Sequence, residues 1–434
     1  MSFDAEFLKD SFKDLDLVKV IGKVTRVVGL VVEAKVQGVK VSELCHVMID
    51  EHSFIQAEVI GFKEDAVLLM PLGEISGIKP GNRVYALGHS LQVKVGPCLL
   101  GRVVDGLGEP MDMKGPLDYE AVYGIDNDPP NAILRPRIEE VFESGVKAID
   151  ATLSLGKGQR VGIFAGSGVG KSTLMGMLAR NCVADINVIA LIGERGREVK
   201  EFIEDSLGEE GLARSVVICA TSDQPPVVRL KGAMVGTAIA EYFRDQGKNV
   251  LFMMDSVTRF AMAQREIGLA TGEPPTTKGY TPSVFAMLPR LMERAGTNEH
   301  GSITAIYTVL VEGGDMDEPV ADAARGILDG HFVLSRDLAA KNHYPSLDVG
   351  HSVSRLMNSI CDNAHKQSAG KLREVLARYK EAEDLINIGA YVKGSNSKID
   401  FAISKIDQVN QLLQQRTDEN VGFDDTVSML RSLF

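Results

Sequence analysis

The 434-residue sequence has no tryptophan, and aromatic residues make up only 6% of it. Basic residues are outnumbered: 47 Lys and Arg against 59 Asp and Glu give a formal net charge of −12 at pH 7. Because an acidic surface repels a phosphate backbone, this composition disfavours broad binding to nucleic acid or to an anionic membrane. A local basic groove is not excluded, but we expect no nucleic acid among the partners.

Cysteines and long apolar runs are also scarce. The five cysteines lie far apart, without a CxxC pair or a Cys/His cluster: Cys45, Cys98, Cys182, Cys219 and Cys361. This spacing argues against a zinc site and a disulfide framework, and it fits a reducing compartment. No apolar run approaches the ~20 residues of a membrane span, and the first residues are acidic where a secretory signal would be basic. These features predict a cytoplasmic protein.

At roughly 150 residues per domain, the length predicts about three domains. Before them, residues 1–17 place apolar side chains on one helical stripe: Phe3, Phe7, Leu8, Phe12 and Leu15. The stripe predicts an amphipathic helix that either packs on its own domain or docks a partner. Short β-branched runs broken by glycine then predict a β-barrel domain over residues 18–95.

The rest of the chain changes pattern twice. Residues 96–345 begin with a connector rich in Gly and Pro and continue with apolar strands that alternate with helical stretches. Near-continuous apolar strands are typical of a parallel sheet buried on both faces, so we predict an α/β domain here. Residues 346–434 have helical periodicity and predict a C-terminal helical domain.

The strongest functional motif is AGSGVGKS at residues 165–172, between a predicted strand and a predicted helix. It is a P-loop with Ala in the first position. Its glycines permit a tight loop whose backbone N–H groups converge on phosphates, while Lys171 neutralises the β- and γ-oxygens and the Ser172 hydroxyl binds Mg²⁺. The predicted ATP-binding residues are Gly166, Ser167, Gly168, Val169, Gly170, Lys171, Ser172 and Thr173.

Two carboxylates fit the chemistry that a P-loop enzyme needs. Asp255 follows five apolar residues and lies 84 residues after Lys171, as expected of the acid that holds Mg²⁺ from the second shell. Glu194 follows another apolar strand, which predicts a position near the γ-phosphate, where it would orient and polarise the attacking water. A solvated charge run is the alternative interpretation of Glu194.

A third cation commonly stabilises the charge that develops on the γ-phosphate. Spacing alone offers three arginines without ranking them: Arg195, Arg259 and Arg355. Each is also a plausible surface arginine. Tyr344 precedes a proline in a loop, where its ring either stacks on a nucleobase or packs half-buried.

Together these motifs resemble the superfamily of rotary ATP synthases and secretion ATPases. The resemblance is carried by residues 193–198 (GERGRE), 255–260 (DSVTRF) and 279–285 (GYTPSVF). Three stretches are most similar to the flagellar protein-export ATPases of the type III secretion group: Phe164–Thr173, Arg259–Gly272 and residues 289–296 (PRLMERAG). The resemblance is dense over residues 130–360 and weaker at both ends.

The resemblance implies a β-barrel, a RecA-like ATP-binding domain and a C-terminal helical domain, assembled as a homohexamer with active sites between subunits. It implies that Glu194 is the catalytic glutamate, Arg195 a γ-phosphate contact and Tyr344 the adenine-stacking residue. It also implies that Arg355 is an arginine finger that reaches the neighbouring subunit's site. Arg259 matches an arginine that the family keeps near the site.

The implied cofactors are ATP and Mg²⁺, and the implied activity is ATP hydrolysis that energises protein export at the flagellar base. The implied partners are a stator or regulator protein at the N-terminal helix, a central stalk protein in the ring, chaperone–cargo complexes and, indirectly, the membrane export gate. The resemblance places the protein at the cytoplasmic face of the inner membrane. In one departure, Gly314 stands where relatives commonly have a second acid, so we assign that loop no catalytic role.

Four other functions compete with this one. A virulence-injectisome ATPase is close, although its P-loop departs more often from AGSGVGKS. A rotary synthase catalytic subunit would carry a strongly acidic helix-turn run after residue 350, which is missing. A non-catalytic ring subunit usually has Gln at the position of Glu194. The RNA translocase Rho shares the ring fold, but this acidic chain lacks a basic platform with interleaved aromatics.

Overall fold

The computed structural model describes residues 20–434, so the helix predicted for residues 1–17 lies outside the described part of the chain. The chain forms two compact units. One contains residues up to Gln92 together with Ala270–Gly272, and the other contains Val93–Leu269 and Glu273–Phe434. The first unit is dominated by strands, whereas the second combines a sheet with helices.

The first unit is a closed barrel of six antiparallel strands. They are β1 (Ile21–Val28), β2 (Val31–Lys35), β3 (Glu43–Met48), β4 (Phe54–Lys63), β5 (Ala66–Pro71) and β6 (Arg83–Ser90). Their order around the barrel is β1-β2-β5-β4-β3-β6. Side chains such as Val24, Val47 and Leu69 fill the interior, because successive residues of a strand face opposite sides. The predicted β-barrel fold is therefore confirmed.

The second unit is built on a predominantly parallel sheet. Its strands, with the short ones around it, are β7 (Gln92–Val95), β8 (Arg102–Asp105), β9 (Ala121–Gly124), β10 (Val141–Phe142), β11 (Leu155–Gly156), β12 (Arg160–Ala165), β13 (Ile186–Ile192), β14 (Ser215–Ala220), β15 (Asn249–Asp255), β16 (Gly296–Thr297), β17 (Ser302–Leu310), β18 (Gly330–Val333) and β19 (Val353–Ser354). The order is β19-β18-β12-β17-β15-β13-β14-β8, with β16 and β19 antiparallel. Every residue of β13 is buried, as expected of a sheet covered on both faces.

Helices cover this sheet and extend the chain beyond it. They are α1 (Lys147–Thr152), α2 (Lys171–Asn181), α3 (Gly196–Glu201), α4 (Gly208–Ala213), α5 (Pro226–Asp245), α6 (Val257–Thr271), α7 (Pro282–Met292), α8 (Pro319–Ile327), α9 (Arg336–Ala340), α10 (Met357–Ile360), α11 (Asn363–Asn387), α12 (Ser397–Leu413) and α13 (Phe423–Leu433). A π-helical segment, Phe202–Leu207, joins α3 to α4. The long α5 is buried along most of its length.

The last three helices pack on α1 and share the hydrophobic core of the sheet. Leu372 and Val375 of α11, Val409 of α12 and Leu430 of α13 belong to the same buried cluster as Ile163 of β12. The Asp362 side chain caps α11 by accepting a hydrogen bond from the His365 N–H at 2.9 Å. The predicted combination of β-barrel, α/β core and C-terminal helices is confirmed.

Within residues 20–434, no helix combines the length and the apolar character that crossing a bilayer would require.

Candidate active site

The predicted phosphate-binding residues lie in the loop between β12 and α2 and in the first turn of α2. Gly168 and Gly170 adopt φ angles of 75° and 89°, in the left-handed region that favours glycine. The Ser346 hydroxyl donates a hydrogen bond to the Val169 carbonyl at 2.5 Å, which ties the loop to a distant segment. Backbone N–H groups at the start of α2 are unpaired within a helix and attract phosphate.

Lys171 opens α2, and its side chain meets two carboxylates. Its Nζ lies 2.5 Å from Asp255 Oδ1 and 3.6 Å from Glu194 Oε1. Burial lowers the pKa of Lys171, but the two carboxylates outweigh burial, so the net pKa is raised. Lys171 is therefore a charged ammonium group at neutral pH. These three residues belong together because β12, β13 and β15 are parallel and their carboxyl ends meet at one edge.

Asp255 is the last residue of β15, and its side chain is held on two sides. Its Oδ1 accepts a hydrogen bond from the Thr308 hydroxyl at 2.6 Å as well as from Lys171. Asp255 is 4% exposed and Thr308, on β17, is fully buried. The hydroxyl therefore fixes the orientation of the carboxylate. The sequence prediction missed Thr308, because a threonine within an apolar strand carries no signal of its own.

Glu194 follows β13 by two residues and is largely buried. Burial raises its pKa to about 7, and the negative charge of Asp255 adds to this effect. Protonated Glu194 also donates a hydrogen bond to Glu198, which lowers the pKa of Glu198. Glu194 thus exchanges a proton near neutral pH, as a general base must. Sequence reasoning missed Glu198, which lies in the first turn of α3, four residues after Glu194.

Tyr344 lies on the other side of the loop. A Cβ on Gly170 would come within 3.4 Å of Tyr344 Cε1, so the ring packs directly on the P-loop backbone. The residue is 38% exposed, which leaves part of the ring accessible. The structure therefore brings Tyr344 together with the predicted phosphate-binding residues.

Gln415 joins the C-terminal helices to this site, and the sequence prediction missed it. Its backbone N–H donates to the Tyr344 carbonyl at 2.9 Å. Its side chain accepts a hydrogen bond from the Lys147 N–H at 2.7 Å and donates to the Gly145 carbonyl at 2.9 Å. Gln415 is 5% exposed, so these bonds are shielded from water. The segment after α12 is thereby fixed to the Tyr344 loop.

The three candidate arginines have different partners. Arg195 is exposed and pairs with Glu198 at 3.1 Å. The aliphatic part of Arg259 packs on Gly193, where a Cβ would lie 2.8 Å from Arg259 Cβ. The Arg355 guanidinium donates to the Arg325 carbonyl at 3.2 Å. Within the described residues, none of these arginines forms an ion pair with Glu194 or Asp255, both of which pair with Lys171.

Arg355 lies near the opposite edge of the sheet from the P-loop. Its backbone N–H donates to the Asp329 carbonyl, and the Asp329 carboxylate pairs with Arg160 at 3.1 Å. Arg160 is the first residue of β12, whereas the P-loop follows the last one. At ~3.3 Å per residue, five steps along this strand span about 17 Å. The backbone of Arg355 therefore lies at the opposite end of β12 from the P-loop of its own chain.

Three family descriptions match consecutive parts of the chain. The ATP synthase alpha/beta family, beta-barrel domain, matches residues 24–88, and the nucleotide-binding domain of the same family matches residues 145–354. The T3SS EscN ATPase C-terminal domain matches residues 361–432. The first description falls on the barrel, the second contains the P-loop, Glu194 and Asp255, and the third covers the last helices.

Whole-length relatives agree with these matches. A flagellum-specific ATP synthase of Bacillus subtilis (strain 168) is 56% identical over 98% of both chains. A type 3 secretion system ATPase of Xanthomonas euvesicatoria is 54% identical over 95% of this chain and 93% of its own. The solved structure of the assembled ATPase EscN, in complex with its central stalk EscO, from the enteropathogenic E. coli type III secretion system has a TM-score of 0.89 and 44% identity. It covers 95% of this chain and 99% of the EscN chain. The chain belongs to the family of flagellum-specific and type III secretion ATPases, and it is an ATPase of type III protein export.

Proposed function

We propose that this ATPase hydrolyses MgATP at the P-loop site and energises export at the flagellar base. The observation that carries the proposal is the arrangement at the end of the sheet, where Lys171 lies between Asp255 and a Glu194 whose pKa is about 7. An ammonium group for phosphate charge and a base that ionises near neutral pH are what hydrolysis by water requires.

Each predicted residue then has a role in the reaction. Residues 166–173 bind the phosphates, and Lys171 neutralises charge on the β- and γ-oxygens. Glu194 accepts a proton from the attacking water. Tyr344 stacks on adenine with the exposed part of its ring. Arg195, which is exposed beside Glu198, contacts the γ-phosphate.

The donor set fits Mg²⁺ supplied with the nucleotide. Ser172 offers an exposed hydroxyl in the first turn of α2, and Asp255 offers a carboxylate held by Thr308. The described residues contain no cluster of three or more His, Cys, Asp or Glu that forms a metal cage by itself. Mg²⁺ usually binds through one or two protein ligands plus phosphate oxygens and water. When bound, it would neutralise charge on the phosphate oxygens.

We further propose that the active form is a homohexameric ring with active sites between subunits. Arg355 is exposed. It lies beside the start of β12, and the P-loop of its own chain follows the other end of that strand, about 17 Å away. An arginine finger at this position acts on the neighbouring subunit. A ring also provides the central space for a stalk protein, as in the complex of EscN with its central stalk.

The surface that we assign to the stalk is the tip between α11 and α12. Leu385, Ile388 and Val392 are 49%, 75% and 70% exposed there. Exposed apolar side chains grouped in this way are typical of protein contact sites. The remaining partners are a stator or regulator at residues 1–17, chaperone–cargo complexes and, indirectly, the membrane export gate. The expected location is the cytoplasmic face of the inner membrane.

Two biochemical variants test the site. Lys171→Ala and Glu194→Gln should both abolish phosphate release, but only Lys171→Ala should greatly weaken ATP binding, because Lys171 binds ground-state charge and Glu194 acts on water. Glu381→Gln, at an exposed position of α11, is the matched control and should leave both properties unchanged. Near-normal phosphate release by Glu194→Gln would refute the assignment of the base.

A mixing experiment tests the finger. Inactive Arg355→Ala and Lys171→Ala proteins should partly restore activity when combined, because each supplies what the other lacks at a shared site. Specific activity of the unmodified enzyme should also rise steeply with concentration as rings form. Activity proportional to concentration, together with no restoration on mixing, would refute an arginine that acts between subunits.

The pathway is tested in cells whose only copy carries Glu194→Gln. Loss of motility and of filament protein in the medium, with normal growth on respiratory substrates, supports the flagellar role. Normal motility would favour the injectisome alternative, and a respiratory growth defect would favour the rotary synthase. The Glu381→Gln strain should swim normally in each case.

A further inference from the structure

Arg336 places its guanidinium group on the phosphate-binding loop. A Cβ on Gly166 would lie 3.1 Å from Arg336 Nη2, 3.2 Å from Nε and 3.5 Å from Cζ. Because Nη2 and Nε are nearer than Cζ, the Nε–Nη2 edge of the planar group points towards the loop. Arg336 is the first residue of α9, which follows β18, and β18 pairs with β12. Arg336 therefore reaches the P-loop from β18, on one side of β12, whereas Asp255 comes from β15, on the other side of β12.

The described residues do not neutralise this arginine. Arg336 is exposed, and no ion pair joins it to a carboxylate within residues 20–434, not even to adjacent Asp337. Other arginines near the sheet are paired, for example Arg160 with Asp329. The first turn of a helix is also the unfavourable end for a cation. The positive charge of Arg336 therefore contributes little to the stability of the fold. It would, however, stabilise a bound anion.

We propose that Arg336 binds the phosphoryl group at the end of the P-loop site, either as the terminal phosphoryl of the nucleoside triphosphate or as the inorganic phosphate released from it. A guanidinium group presents parallel N–H donors that match two phosphate oxygens. Lys171 acts as a point charge from α2, while Arg336 approaches from β18. This inference rests on the proposed function, in that the loop must bind the nucleotide.

The test compares nucleotides that differ by one phosphoryl group. Equilibrium binding of ADP and of the non-hydrolysable β,γ-imido analogue of ATP is measured with Mg²⁺ for the unmodified chain, Arg336→Gln, Arg336→Lys and the control Arg378→Gln on α11. Arg336→Gln should weaken binding of the triphosphate analogue by about tenfold, or about 1.4 kcal/mol, and change ADP binding less than twofold. Inhibition of hydrolysis by added inorganic phosphate should weaken as well.

Arg336→Lys keeps the charge but loses the paired donors, so it should recover only part of the loss. It also guards against misfolding, which circular dichroism of each variant would reveal. The analogue and inorganic phosphate distinguish the two sources, because loss confined to phosphate inhibition would assign Arg336 to the product alone.

Three outcomes would overturn the proposal. Equal loss of ADP and triphosphate binding would make Arg336 a packing support for the loop. Unchanged binding of both, with a steeper dependence of activity on protein concentration, would assign Arg336 to contact with a second copy. Unchanged nucleotide binding together with unchanged inhibition by inorganic phosphate, without that concentration dependence, would leave it no role in phosphate recognition. If Lys171→Ala bound nucleotide like the unmodified chain, the proposed site itself would fail, independently of Arg336.

Discussion

The pH dependence of hydrolysis follows from the surroundings of Glu194. Burial raises its pKa to about 7, helped by the charge of Asp255. Ionising Glu194 in the folded protein therefore costs about 3 kcal/mol more free energy than ionising an ordinary glutamate. A general base works only when it is ionised, and kcat/KM reports the free enzyme. We therefore expect kcat/KM to rise with pH to a plateau, with its midpoint near pH 7.

Glu198→Gln tests the physical cause. Glu198 raises the pKa of Glu194 by accepting its proton in a hydrogen bond and by its negative charge. Glutamine removes the charge, so Glu194 ionises more readily and the midpoint should move to lower pH. A charge about 4 Å away contributes at least about 1 kcal/mol, which is its value in bulk water, so the midpoint should move by about 0.7 pH or more. The control is Glu201→Gln, also on α3 but paired with Arg197, and it should leave the midpoint unchanged.

The assay is phosphate release between pH 5.5 and 9 at saturating Mg²⁺ and low ATP, so that kcat/KM is measured directly. A flat profile for the unmodified enzyme would refute Glu194 as the base. A midpoint that moves to higher pH in Glu198→Gln, or equally in both variants, would refute the electrostatic account. Plateau activity need not match between variants, because the argument concerns the midpoint alone.

Three further predictions concern stability and loop geometry. Since folding raises the pKa of Glu194, the stability that this residue contributes is present below pH 4.5 and lost as the pH rises through 7. Glu194→Gln should therefore raise Tm at pH 8 much more than at pH 5. An equal change of Tm at both pH values would contradict this. Thr308→Val removes the hydroxyl that orients Asp255, so turnover should fall about tenfold and stability by about 1–3 kcal/mol, while unchanged turnover would contradict the orienting role. Ser346→Ala frees the Val169 carbonyl, so binding assays should show ATP and ADP affinities falling by the same factor, whereas a loss limited to ATP would contradict a purely structural role.

Local sequence pattern predicted the parts of the site that depend on order along the chain. The P-loop stands between a predicted strand and a predicted helix, and Asp255 ends an apolar run. The local order of residues therefore locates both. Predicting the position of Glu194 also required the assumption that the strands are parallel. Only a parallel sheet brings the carboxyl end of β13, and with it Glu194, to the same edge as Lys171. Periodicity also predicted the barrel, the α/β core and the C-terminal helices.

Contacts between distant segments could not be predicted in this way. Thr308 meets Asp255 across 53 residues of sequence, and Ser346 meets Val169 across 177. Hydroxyl groups of Thr and Ser have the same appearance in a sequence whether they face solvent or a buried partner. The position of Arg355 near the far edge of the sheet likewise depends on the β18–β19 pairing, which its local sequence does not reveal.

The hydrogen bonds of Gln415 connect the C-terminal helices to the Tyr344 loop and to α1. α11 has 25 residues, and at ~1.5 Å per residue it is a rod of about 37 Å. The segment that follows α12 is held to the Tyr344 carbonyl and to α1 by buried hydrogen bonds, and α11 packs along α12. If the proposed stalk contact and the proposed role of Tyr344 hold, force applied at the tip of α11 would reach the Tyr344 loop through packed helices and buried hydrogen bonds, and rotation of the stalk would be coupled mechanically to release of the nucleotide.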